Sequence, residues 1–434
     1  MLKTELKKGK SPKNKSRVKK RETCRISGEK TIPLFSLGEL YLSDFIELHE
    51  TPKYIPVELE MRLAPKSGLV QLTHTVPGDI MYRKYWYKSG TNATMTNELM
   101  SIAKRAQELA RTKPGDIFVD IGSNDGTLFS FVEKNITRIG FDPNDFKTES
   151  IKHANVIVNN YFTNKEYKKT KHGNKKAKVI TSIAMFYDLE DPNTFVKDIK
   201  NTLDKDGLWI IQMSYLPLML KQLAFDNICH EHLGYYSLNA LKHLLDRHNL
   251  KIVDCELNDI NGGSFRIYIR HNNADPSTFA TSPYRDVANM RVASILEYEK
   301  TLELKKKKIY LDFWQNINKL KKETVDFIKK EKKKGKSIWG YGASTKGNTL
   351  LQWFGLDNTL IDGIAERSPA KFGLKTAGTN IPIYSEKEMR KAKPDYLLVL
   401  PWHFINEFIK REQKFLSGGG KLIVPCPRFE VIGK

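Results

Sequence analysis

A strand pattern that breaks into a glycine-bearing turn and a helix start occurs twice in this chain, and it confines the fold to layered α/β architecture. In the first copy, Ile117-Phe118-Val119-Asp120-Ile121 is an apolar strand and Gly122-Ser123-Asn124-Asp125-Gly126-Thr127 is the turn after it. Glycines there let the backbone turn sharply and approach a ligand, and the first helical amides point at whatever is bound. A second short strand, Arg138-Ile139-Gly140-Phe141, ends in Asp142, whose carboxylate is placed for the hydroxyls of an adenosine ribose.

The turn itself favours one ligand over another. A dinucleotide site expects Gly-x-Gly-x-x-Gly, but Asn124 stands where the second glycine would approach a pyrophosphate. The looser Asp-x-Gly-x-x-x-Gly spacing, with Asp120 ending the strand, suits S-adenosylmethionine, which has no pyrophosphate. Asp120, Gly122, Ser123, Asn124, Gly126, Asp142 and Asn160 form the expected cofactor set.

The second copy is Ser337-Ile338-Trp339-Gly340-Tyr341-Gly342-Ala343-Ser344-Thr345-Lys346-Gly347. It is not a Walker sequence, since no Gly-Lys-Ser/Thr ends it. Backbone amides, two hydroxyls and Lys346 at a helix start nevertheless predict an anion site. Two such loops in one chain suggest two nucleotide-bearing ligands.

Strands alternate with helices through 155–158, 178–183, 208–212 and 265–269, and again through 361–365, 396–400 and 421–424, which predicts two parallel, doubly wound sheets. A chain of 434 residues is long for one core. The expected organisation is a disordered basic tail over 1–22, a small cap over 23–97, an α/β domain over 98–286, a connecting helix over 287–334 and a second α/β domain over 335–434.

The formal charge is +22, but the Lys-rich runs at 1–22, 165–178, 305–308 and 329–336 are scattered and lack interleaved aromatics. They read as solvated tails, loops and helix flanks, with nonspecific attraction to polyanions at low salt. No apolar run approaches the ~20 residues of a membrane span, and no apolar leader is present, so a soluble cytoplasmic protein without membrane contact is expected. Cys24, Cys229, Cys255 and Cys426 show no paired spacing, which predicts reduced thiols.

The reactive constellation is Cys229-His230-Glu231-His232-Leu233-Gly234-Tyr235-Tyr236. His-x-His without a further partner is weak evidence for a metal centre, and none is expected. A histidine base fits better, because its ordinary pKa of ~6.5 lets it remove a proton acidified by a neighbouring carbonyl.

Together the motifs resemble the deoxysugar C-methyltransferases. They are Gly68-Leu69-Val70-Gln71-Leu72-x-His74-Thr75-Val76-Pro77, Tyr87-x-Ser89-Gly90-Thr91-Asn92, the loop after Val119, His230-Glu231-His232-Leu233, Asn261-Gly262-Gly263-Ser264-Phe265-Arg266 and the loop from Gly340. The resemblance covers roughly residues 23–434. It implies a class I methyltransferase domain and a C-terminal domain that binds a nucleotide sugar, both Rossmann-like, with S-adenosylmethionine as methyl donor. It further implies that His232 takes a proton from the carbon beside the keto group of a nucleotide-linked 4-keto-deoxysugar, and that the enolate attacks the sulfonium methyl. Glu231 would line the site, while Tyr82, Tyr85 or Tyr87 would contact the sugar. Asn261, Arg266, Tyr341, Ser344, Thr345 and Lys346 would hold the nucleotide diphosphate.

Relatives of this kind carry a four-cysteine zinc site in the cap. Here only Cys24 remains, with Ser27, Ala64 and Ser67 in the other places, so a zinc-free cap held by packing is expected. Two alternatives are a nucleic-acid-binding or nucleic-acid-modifying protein, suggested by charge, and a nicotinamide-dependent oxidoreductase using either glycine loop. Oligomeric state is not legible.

Overall fold

The strand over Ile117–Ile121 is buried at every position, as a central strand of a sheet covered on both faces must be. A computed structural model of the chain describes residues 18–83 and 86–433. In it, β1 (Ile117–Ile121), β2 (Thr137–Phe141), β3 (Val156–Val158), β4 (Ala177–Ile183), β5 (Leu203–Ser214), β6 (Leu250–Asn258) and β7 (Ser264–His271) form one seven-stranded sheet. Their spatial order is β6-β7-β5-β4-β1-β2-β3. Successive side chains alternate between its faces. Val119 and Trp209 enter one apolar cluster, whereas Phe118 and Ile210 enter another.

The helix Ala93–Ala110 covers the second face with Leu99, Ile102, Ala103, Ala106 and Leu109. Asn92 starts it, its side chain accepting from the amides of Thr94 and Met95.

A second sheet of six strands closes the fold. It consists of β8 (Ile338–Tyr341), β9 (Ile364–Glu366), β10 (Ile383–Ser385), β11 (Tyr396–Val399), β12 (Lys421–Val424) and β13 (Glu430–Ile432), in the order β10-β9-β8-β11-β12-β13. All neighbours are parallel except β12 and β13.

The cap is tied to both sheets. Its antiparallel strands Ile32–Leu40, Val57–Leu63 and Val70–Leu72 accept Gly234–Tyr235 as a further edge strand, immediately after His232. Phe45–Glu47 pairs with Leu374–Thr376 of the C-terminal region, and one apolar cluster runs from Leu59 and Leu72 to Trp353 and Leu398. Arg25 joins the cap to the first domain.

Several expectations are corrected. The strand at 265–269 is antiparallel to β5, because it returns from β6 through the short turn over Ile260–Gly262, too short for a parallel crossover. One connecting helix over 287–334 is replaced by two, Ser282–Thr301 and Lys308–Lys333. Between them Glu303 has a positive φ, Leu304 is buried, and the like charges at 305–308 would repel one another on a continuous helix. The basic stretch at 165–178 is not a plain loop, since Thr163 caps a helix over Asn164–Lys169. Residues 19–21 of the expected basic tail are ordered: Lys19–Lys20 pairs with His74–Thr75, and the Arg21 amide donates to the Thr73 carbonyl at 2.8 Å. Residues 1–17 lie outside the described residues, as does Tyr85.

No helix among the described residues is long and apolar enough to cross a membrane.

Candidate active site

The end of β1 and the turn after it form the wall of a cleft. Gly122 adopts φ +75, and a Cβ there would stand 3.1 Å from Met185 Cγ, so both conformation and space call for glycine. Asn124 is also left-handed, at φ 48. Its amide donates to Asp142 Oδ2 at 2.8 Å, which fixes the β2 carboxylate against the turn. Its side chain binds in both directions to the preceding segment, Nδ2 donating to the Tyr87 carbonyl at 3.0 Å and Oδ1 accepting from the Ser89 amide at 3.0 Å. The residue that departs from a dinucleotide fingerprint thus holds the Tyr87-Ser89 segment over the cleft.

The cleft has a volume of about 320 Å³ and joins the two halves of the molecule. Asp120, Gly122, Ser123, Asn124, Asp142 and Asn160 line one end, and Tyr82, Tyr87, Glu231, His232, Asn261, Thr345 and Lys346 also face it. Its polar groups are poised for a ligand. Ser123 Oγ is buried without a protein partner. Burial pushes the Asp120 carboxyl up to about 7, against a 2.6 Å bond from Thr181. Burial also raises Asp142, which the amides of Asn144 and Asn124 counteract. An acidic pair, an orphaned hydroxyl and a glycine in the left-handed region suit the ammonium, ribose and backbone approach of S-adenosylmethionine.

At the other end, His232 Nδ1 lies 2.9 Å from the Asn227 carbonyl. A carbonyl only accepts, so Nδ1 carries the proton and Nε2 is left as the basic nitrogen. The ring packs on Tyr187 with centroids 4.1 Å apart. Burial, then the nearby Lys346 cation, lowers the imidazole to about 3, so it is neutral at physiological pH. Glu231 is buried, with Oε2 unpaired and its carboxyl raised by burial, and the Tyr82 hydroxyl donates to the Glu231 carbonyl at 3.2 Å. Lys346 Nζ donates to the Asn261 carbonyl at 3.3 Å.

His230 does not join His232. Its Nε2 donates to the Val57 carbonyl at 2.9 Å, anchoring the segment to the cap. Among the described residues no group of three or more His, Cys, Asp or Glu side chains is arranged to hold a metal ion.

Four expected site residues lie outside the cleft lining. Gly126 packs on the backbone of Ser150, where a Cβ would meet Cα at 2.9 Å, so it shapes the turn. Arg266 points from β7 to Glu98 at 2.7 Å and Gln212 at 2.9 Å, an ion pair inside the first domain. The Tyr341 hydroxyl is held by Arg411 and Glu412 in a cluster of their own. Ser344 caps its helix, Oγ accepting from the Gly347 amide at 2.9 Å. The anion site expected at the second loop is further limited, because the Ala343 amide donates to Glu366 at 2.8 Å and the Gly342 amide to the Ala365 carbonyl.

One cleft residue, Asp188, carries no motif in the sequence. Asp188 follows β4 and faces Glu231, and its carboxyl is raised by burial and by that neighbour. Cys229 sits beside them, its thiol raised by burial. The one available signal for Asp188 is its place just beyond a strand's C-terminal end, where α/β sheets put ligand groups.

The cap holds together by more than packing. Cys24 Sγ lies 3.3 Å from Ser67 Oγ and accepts from the amides of Ile26 and Ser27. Glu29 accepts from Ser27 Oγ at 2.8 Å and from the amides of Lys66 and Ser67, bridging the two turns.

The family matches agree with a two-domain organisation. Residues 93–254 match the methyltransferase domain family, and residues 259–427 match the C-methyltransferase C-terminal domain family. The C-methyltransferase NovU of Streptomyces niveus is 28% identical over 385 residues, spanning 86% of this chain and 87% of that protein. Among solved structures, magnesium protoporphyrin IX methyltransferase of Synechocystis PCC 6803 with bound SAH overlaps 42% of this chain and 87% of its own, at 10% identity and a TM-score of 0.32. The plantazolicin methyltransferase BpumL with SAH overlaps 40% and 82%, at 12% identity and a TM-score of 0.31. Methyltransferase-family matches across both glycine loops overturn the nicotinamide alternative. With that domain joined to the C-terminal domain of C-methyltransferases, the chain is an S-adenosylmethionine-dependent C-methyltransferase.

Proposed function

We propose that the enzyme methylates a carbon beside the keto group of a nucleotide-linked 4-keto-deoxysugar. The observation that carries this reading is the His232 tautomer: the Asn227 carbonyl holds the proton on Nδ1 and leaves Nε2 as a base in the cleft that Asp142 and Lys346 share. The motif set that resembles deoxysugar C-methyltransferases supports the sugar, and the presence of Thr345 and Lys346 in the same cleft supports an acceptor held between both domains.

Each residue has a stated task. Asp142 takes the ribose hydroxyls of the donor, and Asp120 lies toward its amino acid end. When bound, S-adenosylmethionine supplies an electrophilic methyl. His232 Nε2 removes the proton from the acceptor carbon, and Tyr187 keeps the ring in place. Glu231 and Tyr82 meet sugar hydroxyls. Holding carbon and methyl in line across a closed cleft provides most of the rate, since orientation removes the entropy of a two-body encounter.

Incubating the purified enzyme with S-adenosylmethionine and a panel of thymidine- and uridine-diphosphate 4-keto-6-deoxysugars tests this. A product heavier by one methylene, with the new methyl on carbon, is expected; binding of SAH without methylation of any keto-sugar would sink the acceptor assignment.

A further inference from the structure

Thr345 and Lys346 face the cleft, unlike the residues before them in the loop. Those serve the fold: the amides of Gly342 and Ala343 bind within the second sheet, and Ser344 closes the helix start. Glu366, paired with Lys371 at 3.7 Å, already occupies the Ala343 amide that a diphosphate would need. The Lys346 side chain instead crosses to the first domain, donates to the Asn261 carbonyl, and lines the cleft with Cys229, Glu231 and His232. Its charge reaches the reacting end, where it disfavours protonation of His232 and lies close enough to Asp226 to favour that buried carboxylate's charged form. The Asp226 side chain is fixed by the Trp402 indole at 3.0 Å.

We infer that the Lys346 ammonium is a catalytic group that stabilises the enolate oxygen of the acceptor, and that it does not bind the diphosphate. This rests on the keto-sugar reading above. His232 Nε2 takes the proton; the C–H electron pair becomes the C=C bond, and the carbonyl π pair moves onto oxygen, against Lys346 Nζ. On methyl transfer the oxygen pair re-forms the carbonyl, the C=C pair forms the new C–C bond, and the C–S pair returns to sulfur. The histidinium then releases its proton to solvent. A cation fixed at the position where charge develops accelerates the step that creates that charge, typically by 10²–10³ for one donor.

The test separates proton removal from methyl transfer. Wild type and K346M are saturated with SAH and incubated in D2O with thymidine-diphosphate-4-keto-6-deoxyglucose, and exchange of the proton beside the keto group is followed by NMR. Thymidine diphosphate affinity is measured alongside. The expected result is exchange slowed about 10²–10³-fold in K346M, with thymidine diphosphate bound within threefold of wild type. Unchanged exchange, or an affinity for thymidine diphosphate that falls in step with it, overturns the inference. Should K346M fail to bind SAH and so prove misfolded, K346Q decides: its amide keeps a polar group in the cleft without the charge, so exchange falls at least tenfold with affinity kept, and retained exchange overturns the assignment. A wild-type enzyme that binds thymidine diphosphate yet neither exchanges nor methylates the keto-sugar overturns the acceptor reading itself, and this inference with it.

Discussion

The guanidinium of Arg25, in the cap, lies 3.2 Å from the carboxylate of Glu190, in the segment that follows Asp188. The Arg25 side chain is wholly buried, and it also donates to the Leu72 carbonyl and to Thr75 Oγ1, each at 2.7 Å. Removing one partner of a buried pair costs about 3–5 kcal/mol. Because Glu190 keeps some contact with water and with Arg21, Arg25→Ala is expected to lower stability by about 3 kcal/mol, the low end of that range. A shift of the urea midpoint near zero would show that the clamp is idle.

Asp142→Ala should weaken SAH binding by roughly 1.5–3 kcal/mol, the scale for hydrogen bonds to a charged group. Calorimetry reads this directly. An unaltered dissociation constant would place the adenosine elsewhere.

His232→Ala should abolish turnover while SAH affinity stays within a few-fold, since the base acts after binding. The imidazole pKa is lowered to about 3, so the basic form persists throughout the neutral range. At saturating donor, kcat/KM for the acceptor should therefore show no histidine limb between pH 6 and 8. A limb near the ordinary histidine value of ~6.5 would mean that the ring is solvated in the working enzyme.

The Asp120 carboxyl titrates at about 7 in the fold, against an ordinary value of 3.8. Between those values the native state binds a proton that the unfolded chain has lost, so stability from this group is greatest at low pH and falls as pH rises through 7. The melting temperature of the ligand-free enzyme should decline from pH 5 to 8, and Asp120→Asn should flatten that slope. Equal slopes in both proteins would dismiss Asp120 as the source.

Purified enzyme should contain no stoichiometric zinc, and a chelator should leave its melting temperature unchanged, because Cys24, Ser67, Ser27 and Glu29 already satisfy one another. Elemental analysis decides the matter; one zinc per chain would overturn it.

The first glycine loop was legible because its chemistry is local: Asp120 and Asp142 end neighbouring strands, and sequence spacing alone brings them to one sheet edge. Arg266 was misread for the opposite reason. It follows a glycine turn that does line the cleft at Asn261, yet the return of β7 against β5 aims it at Gln212 and Glu98, a consequence of strand direction that no local motif encodes. Tyr341 likewise sits in a recognisable loop but finds Arg411 and Glu412 from a distant helix. Asp188 escaped notice because Phe186-Tyr187-Asp188 resembles any strand exit; it acquires meaning only when Glu231 arrives beside it.

The pairing of Gly234–Tyr235 with Val70 and Gln71 makes the cap a jig for the turn that carries His232. The Leu72 amide grips the Leu233 carbonyl, and the Val57 carbonyl grips His230, so the residues on either side of His232 are shaped by strands that enter no nucleoside site. A chain stripped of its cap would keep the pieces of a donor pocket and lose the mould in which His232 is set.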